Sequence, residues 1–263
     1  NVKAGTDAAL AMAMGHVILK EYYIDKETPY FKEYAKEFTD MPFLVRVEDI
    51  NGTVQPGRFL NAKDLGRQEE GSDFQMVLID DTTNEIVVPN GTMGDRHTNP
   101  EKWNLRLENR DTGAKIDPRL SVFDQREEVT VVKLPYFGDE EHEGVIERAI
   151  PTITVQTADG PVKVTTVYDL ILANYGIDRG IGGEVAKAYT DDTPYTPTWQ
   201  EKITGVKAEI AIATAREFAD NAEKTKGRSM IIMGGGINHW YHADIIYRTI
   251  LNLIMFCGTE GVN

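Results

Sequence analysis

The sequence has one cysteine, too few basic residues to balance its acidic ones, and no long apolar run. Cys257 alone cannot form an internal disulfide, and a single thiol cannot complete an iron–sulfur or zinc–thiolate site within this chain. With 28 basic residues against 42 acidic ones, the net charge is −14, which argues against a nucleic-acid-binding surface. No stretch reaches the roughly 18 uninterrupted apolar residues of a membrane-spanning helix. We therefore expect neither nucleic-acid binding nor direct insertion into a membrane.

The remaining composition is typical of a globular protein. Apolar residues make up 41% and charged residues 27% of the 263 positions, enough for one or two domains. A helix start at Thr6 and Asp7 comes almost at once, and residues 257–263 break off in a loop after an apolar helix pattern. We expect the chain to be an internal piece of a longer polypeptide.

The most informative stretch runs from Arg228 to His242. It begins with an apolar run that ends at Met233, which predicts a strand buried on both faces, as in a parallel sheet. The next three glycines, 234–236, allow a ligand to approach the backbone closely. Residues 242–256 predict a helix that is apolar nearly all round and therefore buried. A strand, a glycine loop and a helix in this order are typical of the ligand sites of open α/β sheets.

The N-terminal segment predicts a first helix over residues 8–22, with Thr6 or Asp7 as its N-cap. The Asp7 carboxylate has two possible roles. It can stabilise the N-terminus of the helix, or it can accept two hydrogen bonds from a guanine edge. The residues alone leave both roles open.

The middle of the chain is β-rich. Short strand patterns from residue 43 to residue 166 alternate with turn signals, and Asp159-Gly160 predicts the best-defined hairpin. The acidic stretch 139–143 predicts a solvated loop. Helical patterns return at residue 167. We therefore predict an α/β protein containing half of a doubly wound parallel sheet, divided into an entry segment 1–42, a β-rich insertion 43–166 and a ligand-binding segment 167–263.

The glycine-rich stretch does not match the common nucleotide-binding motifs. No Lys-Ser or Lys-Thr follows at the spacing of a phosphate-binding P-loop, and His239 stands where the dinucleotide fingerprint needs its third glycine. His239 and His242 alone are too few for a metal site. From the residues alone, the chain is a ligand-binding α/β segment without metal ligands or a complete catalytic set, and a non-catalytic module that binds nucleotides or a partner is the alternative.

Ten stretches of the chain resemble, in family order, the catalytic (alpha) subunit of respiratory nitrate reductases. They include Gly-Thr-Asp at 5–7 and Asn-His-Trp-Tyr-His at 238–242, and together they are residues 5–17, 38–45, 102–105, 135–138, 164–170, 173–176, 203–206, 215–222, 227–232 and 238–242. The resemblance covers the whole chain. Nitrite oxidoreductases, which run the reaction in reverse, are close relatives of this family and give the alternative function.

The resemblance implies the three-layer fold of molybdopterin oxidoreductases related to dimethyl sulfoxide reductase. In this family molybdenum is held between two molybdopterin guanine dinucleotides and nitrate is reduced to nitrite by oxygen-atom transfer. Electrons come from quinol through an iron–sulfur beta subunit and a haem b membrane subunit, which hold the enzyme at the cytoplasmic face of the membrane. A 4Fe–4S cluster belongs to the parent subunit, but its ligands and the aspartate ligand of molybdenum lie upstream of this chain. We therefore expect the segment alone to be inactive.

The resemblance also implies roles for individual residues. Gly5, Thr6 and Asp7 are expected to contact one guanine dinucleotide, which favours the guanine role of Asp7 over a purely capping one.

At the other end of the chain, Gly235, Asn238 and His239 are expected to approach a pterin near the metal. His239 is the candidate catalytic residue. Other family members carry glutamine at this position, which favours hydrogen bonding over metal ligation.

Overall fold

A computed structural model describes residues 1–98, 104–136 and 144–261 and groups the chain into two compact units. The first unit contains residues 1–35 and 172–263, and the second contains residues 36–171. The predicted acidic loop 139–143 lies outside the described residues, as do residues 102–103 and 137–138 of two resemblance stretches.

Seven α-helices occur in the described parts of the chain, and one of them is a single turn. They are α1 (Asp7–Ile18), α2 (Pro29–Phe38), α3 (Asp95–Thr98), α4 (Val167–Asn174), α5 (Pro197–Thr204), α6 (Ala208–Thr225) and α7 (Ala243–Phe256). None of them is both long and apolar enough to cross a membrane.

The same parts of the chain contain nine strands. They are β1 (Leu44–Ile50), β2 (Thr53–Phe59), β3 (Leu78–Asp80), β4 (Glu85–Val87), β5 (Pro89–Asn90), β6 (Arg106–Asn109), β7 (Glu128–Pro135), β8 (Val145–Thr157) and β9 (Gly160–Thr166).

The first unit is built around α1, against which α5, α6 and α7 pack. The buried face of α6 is made of small residues only, namely Ala211, Ala215, Ala219 and Ala222. Small side chains allow two helix backbones to approach closely. Gly15 of α1 is small for another reason, because a Cβ atom there would lie 2.4 Å from Cε1 of the Tyr175 ring.

The predicted first helix is confirmed, but it does not end as an α-helix. Its α-helical part stops at Ile18, and a π-helical segment, Leu19–Asp25, continues it. Tyr22 and Tyr23 of this segment are buried, and the Tyr23 hydroxyl donates to the carbonyl oxygen of Phe256 at 2.8 Å. The π-helical segment is therefore anchored on the C-terminal end of α7.

The second unit contains a five-stranded antiparallel sheet in the order β2-β1-β9-β8-β7. The predicted hairpin at Asp159-Gly160 is confirmed as the β8–β9 turn, with Thr157 paired to Gly160. The edge strands β2 and β7 contact each other, so the sheet curls. Its core is aliphatic and includes Leu44, Leu60, Val77, Val155 and Val164.

The mixed α/β class is confirmed, whereas the predicted strand ending at Met233 is wrong for the described residues. Residues 229–233 form no strand, and Met230 and Ile232 are 70% and 84% exposed. All pairs between the named strands are antiparallel. A parallel strand needs neighbouring strands to satisfy its backbone and cover its side chains, and no described strand lies beside this run.

The helix predicted after the glycines is confirmed as α7, but it is not buried all round. Its buried face is formed by Ile246, Thr249, Ile250, Leu253 and Phe256, whereas Leu251 is 44% exposed.

Candidate functional site

The N-terminal loop before α1 is fixed by backbone hydrogen bonds. The amide of Lys3 donates to the carbonyl oxygen of Thr204 at 2.9 Å, at the end of α5. Thr6 occupies the N-cap position of α1, but its side chain does not cap the helix. Its hydroxyl donates instead to the carbonyl oxygen of Lys3 at 2.7 Å. The loop is therefore held in place independently of any bond from Asp7.

Asp7 is the first residue of α1 and is partly exposed. A carboxylate in this position is stabilised by the helix dipole. Within the described parts of the chain, no hydrogen bond or ion pair engages its two oxygens. The carboxylate can therefore stabilise the helix and still accept hydrogen bonds from a ligand.

The three glycines 234–236 are exposed, and none of them has a positive φ. A Cβ atom built on any of them would meet no atom within 4 Å. Neither backbone conformation nor packing within the described residues requires glycine here. The physical effect of three missing side chains is an accessible main chain, which suits a ligand that lies against the backbone.

Asn238 and His239 follow in a single 3₁₀ turn, Ile237–His239, and both are exposed. The Asn238 amide donates to the carbonyl oxygen of Gly235 at 3.2 Å. The Asn238 side-chain oxygen accepts a hydrogen bond from the hydroxyl of Tyr247 on α7. Asn238 is thus tied both to the glycine run and to the helix.

His239 and His242 do not lie on one helix, because α7 begins only at Ala243. The His242 ring packs edge-on against Tyr241, with the ring centroids 4.5 Å apart. Among the residues that the structure describes, no group of three or more His, Cys, Asp or Glu side chains could hold a metal ion.

The two predicted site segments come together through Trp240. Gly5 has a φ of +79°, and a Cβ atom on it would lie 2.8 Å from Cδ2 and Cε3 of the Trp240 ring. The loop before α1 therefore packs directly against the turn that carries Asn238 and His239, although the two segments are at opposite ends of the chain. No hydrogen bond within the described residues joins Thr6 or Asp7 to that turn.

Sequence reasoning missed Trp240 and Tyr247 as site residues. Trp240 had an indirect signal, since it lies inside the Asn-His-Trp-Tyr-His segment that resembles a known family. Tyr247 had none, because a tyrosine near the start of an amphipathic helix is common and its partner is set by the tertiary fold.

His16 and Cys257 also carry reactive side chains, but both are structural. His16 is 3% exposed, and its Nδ1 lies 2.6 Å from the carbonyl oxygen of Tyr175. Cys257 is fully buried, and burial raises the pKa of its thiol far above the ordinary value. A thiol in this environment stays protonated and unreactive at neutral pH.

Comparison with known proteins gives a consistent result. The chain is 49% identical to the nitrate reductase alpha chain of Bacillus subtilis (strain 168), over 263 residues that cover 100% of this chain and 21% of that protein. It is 46% identical to the respiratory nitrate reductase 1 alpha chain of Escherichia coli (strain K12), over 98% of this chain and 22% of that protein. It is 45% identical to the nitrate reductase alpha subunit of Mycobacterium tuberculosis (strain CDC 1551 / Oshkosh), over 99% of this chain and 21% of that protein.

The chain thus spans about a fifth of the length of these relatives. The family model for molybdopterin oxidoreductases matches residues 1–263. Since that match extends over the whole chain, the chain belongs to the molybdopterin oxidoreductase family.

Proposed function

We propose that the chain is part of the catalytic subunit of a respiratory nitrate reductase and forms one wall of the site for a molybdenum bis(molybdopterin guanine dinucleotide) cofactor. The observation that carries this proposal is the contact between Gly5 and Trp240. It places the Gly-Thr-Asp loop beside the glycine-rich turn, so that both segments can face the same extended ligand. Relatives that share 45% to 49% of their residues with the chain are named as nitrate reductase alpha chains, which supports nitrate as the substrate.

The residues present fit such a cofactor. Gly5, Thr6 and Asp7 would hold a guanine dinucleotide, because a carboxylate can accept two hydrogen bonds from a guanine edge and the helix N-terminus offers backbone N–H donors.

On the second segment, Gly235 would allow the pterin to lie against the main chain. Asn238 and His239 would supply side-chain hydrogen bonds to it, and we assign to His239 a hydrogen-bonding role near the reacting centre.

When it is bound, the molybdenum cofactor supplies the two-electron oxygen-atom transfer that converts nitrate to nitrite. The residues of this chain bind and orient it. In the parent protein we propose a 4Fe–4S cluster outside this segment, an iron–sulfur beta subunit and a haem b membrane subunit that deliver electrons from quinol, and a location at the cytoplasmic face of the membrane.

The test is the substitution Gly235→Ala in the parent-length protein, purified with its partner subunits. The new methyl group meets no atom of the chain within 4 Å, and the φ of Gly235 is not in the left-handed region. We therefore expect the midpoint of unfolding to be unchanged. The methyl group would press against a pterin lying on the backbone, at a cost of about 1–3 kcal/mol. We therefore expect a loss of bound molybdenum, measured by elemental analysis, and of nitrate turnover with a reduced viologen dye.

Gly180→Ala is the control. Gly180 lies in an exposed loop with nothing within 4 Å of its Cβ position, and its φ is +71°, so this substitution costs the fold about 1–2 kcal/mol without touching the candidate site. It should retain molybdenum and turnover. Full molybdenum content and full turnover in Gly235→Ala would contradict the proposed site.

A further inference from the structure

Asn238 is exposed, yet the orientation of its side chain is defined. Its side-chain oxygen accepts a hydrogen bond from the Tyr247 hydroxyl. Because a carboxamide has one oxygen acceptor and one NH2 donor group, the groups left for a ligand include the two N–H donors of Nδ2. The side chain therefore presents donors, which select a ligand atom that accepts hydrogen bonds.

The restraint on Asn238 comes from a rigid part of the first unit. Tyr247 follows the buried Ile246 on α7, and the buried face of α7, which includes Ile250 and Leu253, anchors that helix in its unit. The 3₁₀ turn of Asn238 is exposed, and its own backbone hydrogen bonds are long, at 3.2 to 3.4 Å. The Tyr247 hydroxyl is thus the link through which a packed helix fixes a polar side chain on an exposed turn.

We propose that Tyr247 is a positioning residue that orients the carboxamide of Asn238, so that its N–H groups donate to an acceptor oxygen or nitrogen of the bound pterin cofactor. This inference rests on the function proposed above. Without the tyrosine hydroxyl, the exposed carboxamide rotates freely and has to be ordered each time it engages the ligand. Ordering one such side chain weakens an interaction about two- to tenfold.

The experiment uses the parent-length protein with its partner subunits and five variants. Tyr247→Phe removes only the hydroxyl, Asn238→Ala removes the carboxamide, and the double variant combines them. Asn238→Asp keeps an acceptor for Tyr247 but has no N–H donors. Tyr30→Phe is the matched control, because the Tyr30 hydroxyl donates to the carbonyl oxygen of Gly258 at 2.6 Å, away from the candidate site.

Molybdenum content and kcat/KM for nitrate with a reduced viologen dye are measured for each protein. We expect a loss of about two- to tenfold in one or both quantities for Tyr247→Phe, and at least as large a loss for Asn238→Ala and Asn238→Asp. We expect no loss for Tyr30→Phe. In the Asn238→Ala background, Tyr247→Phe should have no further effect, which a general loss of stability would not produce.

The outcomes separate this inference from the proposed function. The positioning role of Tyr247 is overturned, and the proposed site stands, if Asn238→Ala loses molybdenum or activity while Tyr247→Phe matches the unsubstituted protein. The same conclusion follows if Tyr247→Phe causes an equal loss with Asn238 present and in the Asn238→Ala background. Full activity of Asn238→Asp would overturn the donor role of Asn238. If Asn238→Ala retains full molybdenum and turnover, Asn238 is not part of the site and both proposals fail at this residue.

Discussion

Gly5 is required for two independent reasons at the scale of a single residue. Its φ of +79° lies in the left-handed region, which costs other residues about 1–2 kcal/mol. In addition, a Cβ atom would overlap the Trp240 ring at 2.8 Å, closer than real Cβ contacts. The overlap is relieved only if the Trp240 ring leaves its position on Gly5 or the two loops move apart, and either change loses the contact.

We predict that Gly5→Ala lowers the free energy of unfolding by more than the backbone conformation alone explains. Gly180→Ala is the control, because Gly180 has a similar φ of +71° but no neighbour within 4 Å. We expect about 1–2 kcal/mol of loss in Gly180→Ala and about 1–3 kcal/mol more in Gly5→Ala. Urea unfolding of both variants measures the difference, and equal losses would show that Trp240 does not pack on Gly5.

The Gly5 contact also shows which part of the site could be predicted from the sequence. Asp7 has a local signature, because polar residues are favoured at helix starts. Gly5 and Asn238 are assigned to the site only through the family resemblance. The packing of Trp240 on Gly5 and the hydrogen bond of Tyr247 to Asn238 join residues by the tertiary fold, and no local pattern encodes them.

At the scale of elements, the π-helical segment Leu19–Asp25 is joined to α6 by a charged cluster. Nη2 of Arg216 lies 2.6 Å from Oε1 of Glu21, and the Tyr189 hydroxyl donates to the same oxygen at 3.0 Å. Tyr22 donates to Asp220 on the same helix. Burial raises the pKa of Glu21, but the hydrogen bonds from Arg216 and Tyr189 together outweigh it, so the pKa of Glu21 lies below its ordinary value of 4.5.

We predict that Glu21→Gln destabilises the protein in a pH-dependent way. The Glu21 side chain is 16% exposed, but Arg216 is half exposed and its interaction is screened by solvent, so we expect a loss of about 1 kcal/mol at about pH 7. Because the folded-state pKa is lowered, this stabilisation is present above the ordinary glutamate pKa. It disappears as the pH falls through the folded-state value.

Urea unfolding at about pH 7 and at several values below about pH 4.5 tests this prediction. The difference in the free energy of unfolding between the unsubstituted protein and Glu21→Gln should shrink as the pH falls. Glu217→Gln on the exposed face of α6 is the control and should differ little from the parent at any pH. A constant difference across the pH range would contradict the role of the charge.

At the scale of the whole molecule, the sequence predicted local elements well and burial poorly. The first helix follows from apolar residues at helical spacing, and the hairpin at Asp159-Gly160 follows from its turn residues, so both signals lie within a few residues. The run 229–233 has the composition of a buried strand, yet burial of a strand requires neighbouring strands, and no described strand lies beside this run. A hydrophobic pattern shows that a segment is suited to burial, whereas the tertiary fold decides whether other elements cover it.

Two opposing effects decide whether the chain associates through this exposed run, namely charge repulsion and burial of apolar side chains. A net charge of −14 repels a second copy of the chain, whereas Met230 and Ile232, at 70% and 84% exposed, favour association. At physiological salt, repulsion is screened beyond about 8 Å. Burying each apolar side chain contributes about 1.5–3 kcal/mol. Burial of these two side chains therefore favours association, and salt weakens the repulsion that opposes it.

We therefore predict that the 263-residue chain self-associates, increasingly as salt concentration rises, and that Met230→Lys combined with Ile232→Lys restores a monomer. Light scattering after size-exclusion chromatography measures the mass. Val129→Lys combined with Val131→Lys is the matched control, because these residues of β7 are also exposed, at 41% and 49%, but their backbone is paired in a sheet. We expect that variant to associate like the unsubstituted chain, since the two valines are less exposed than Met230 and Ile232 and lie on a strand that is already paired with β8. If the unsubstituted 263-residue chain is a monomer at high salt, the exposed run does not drive association.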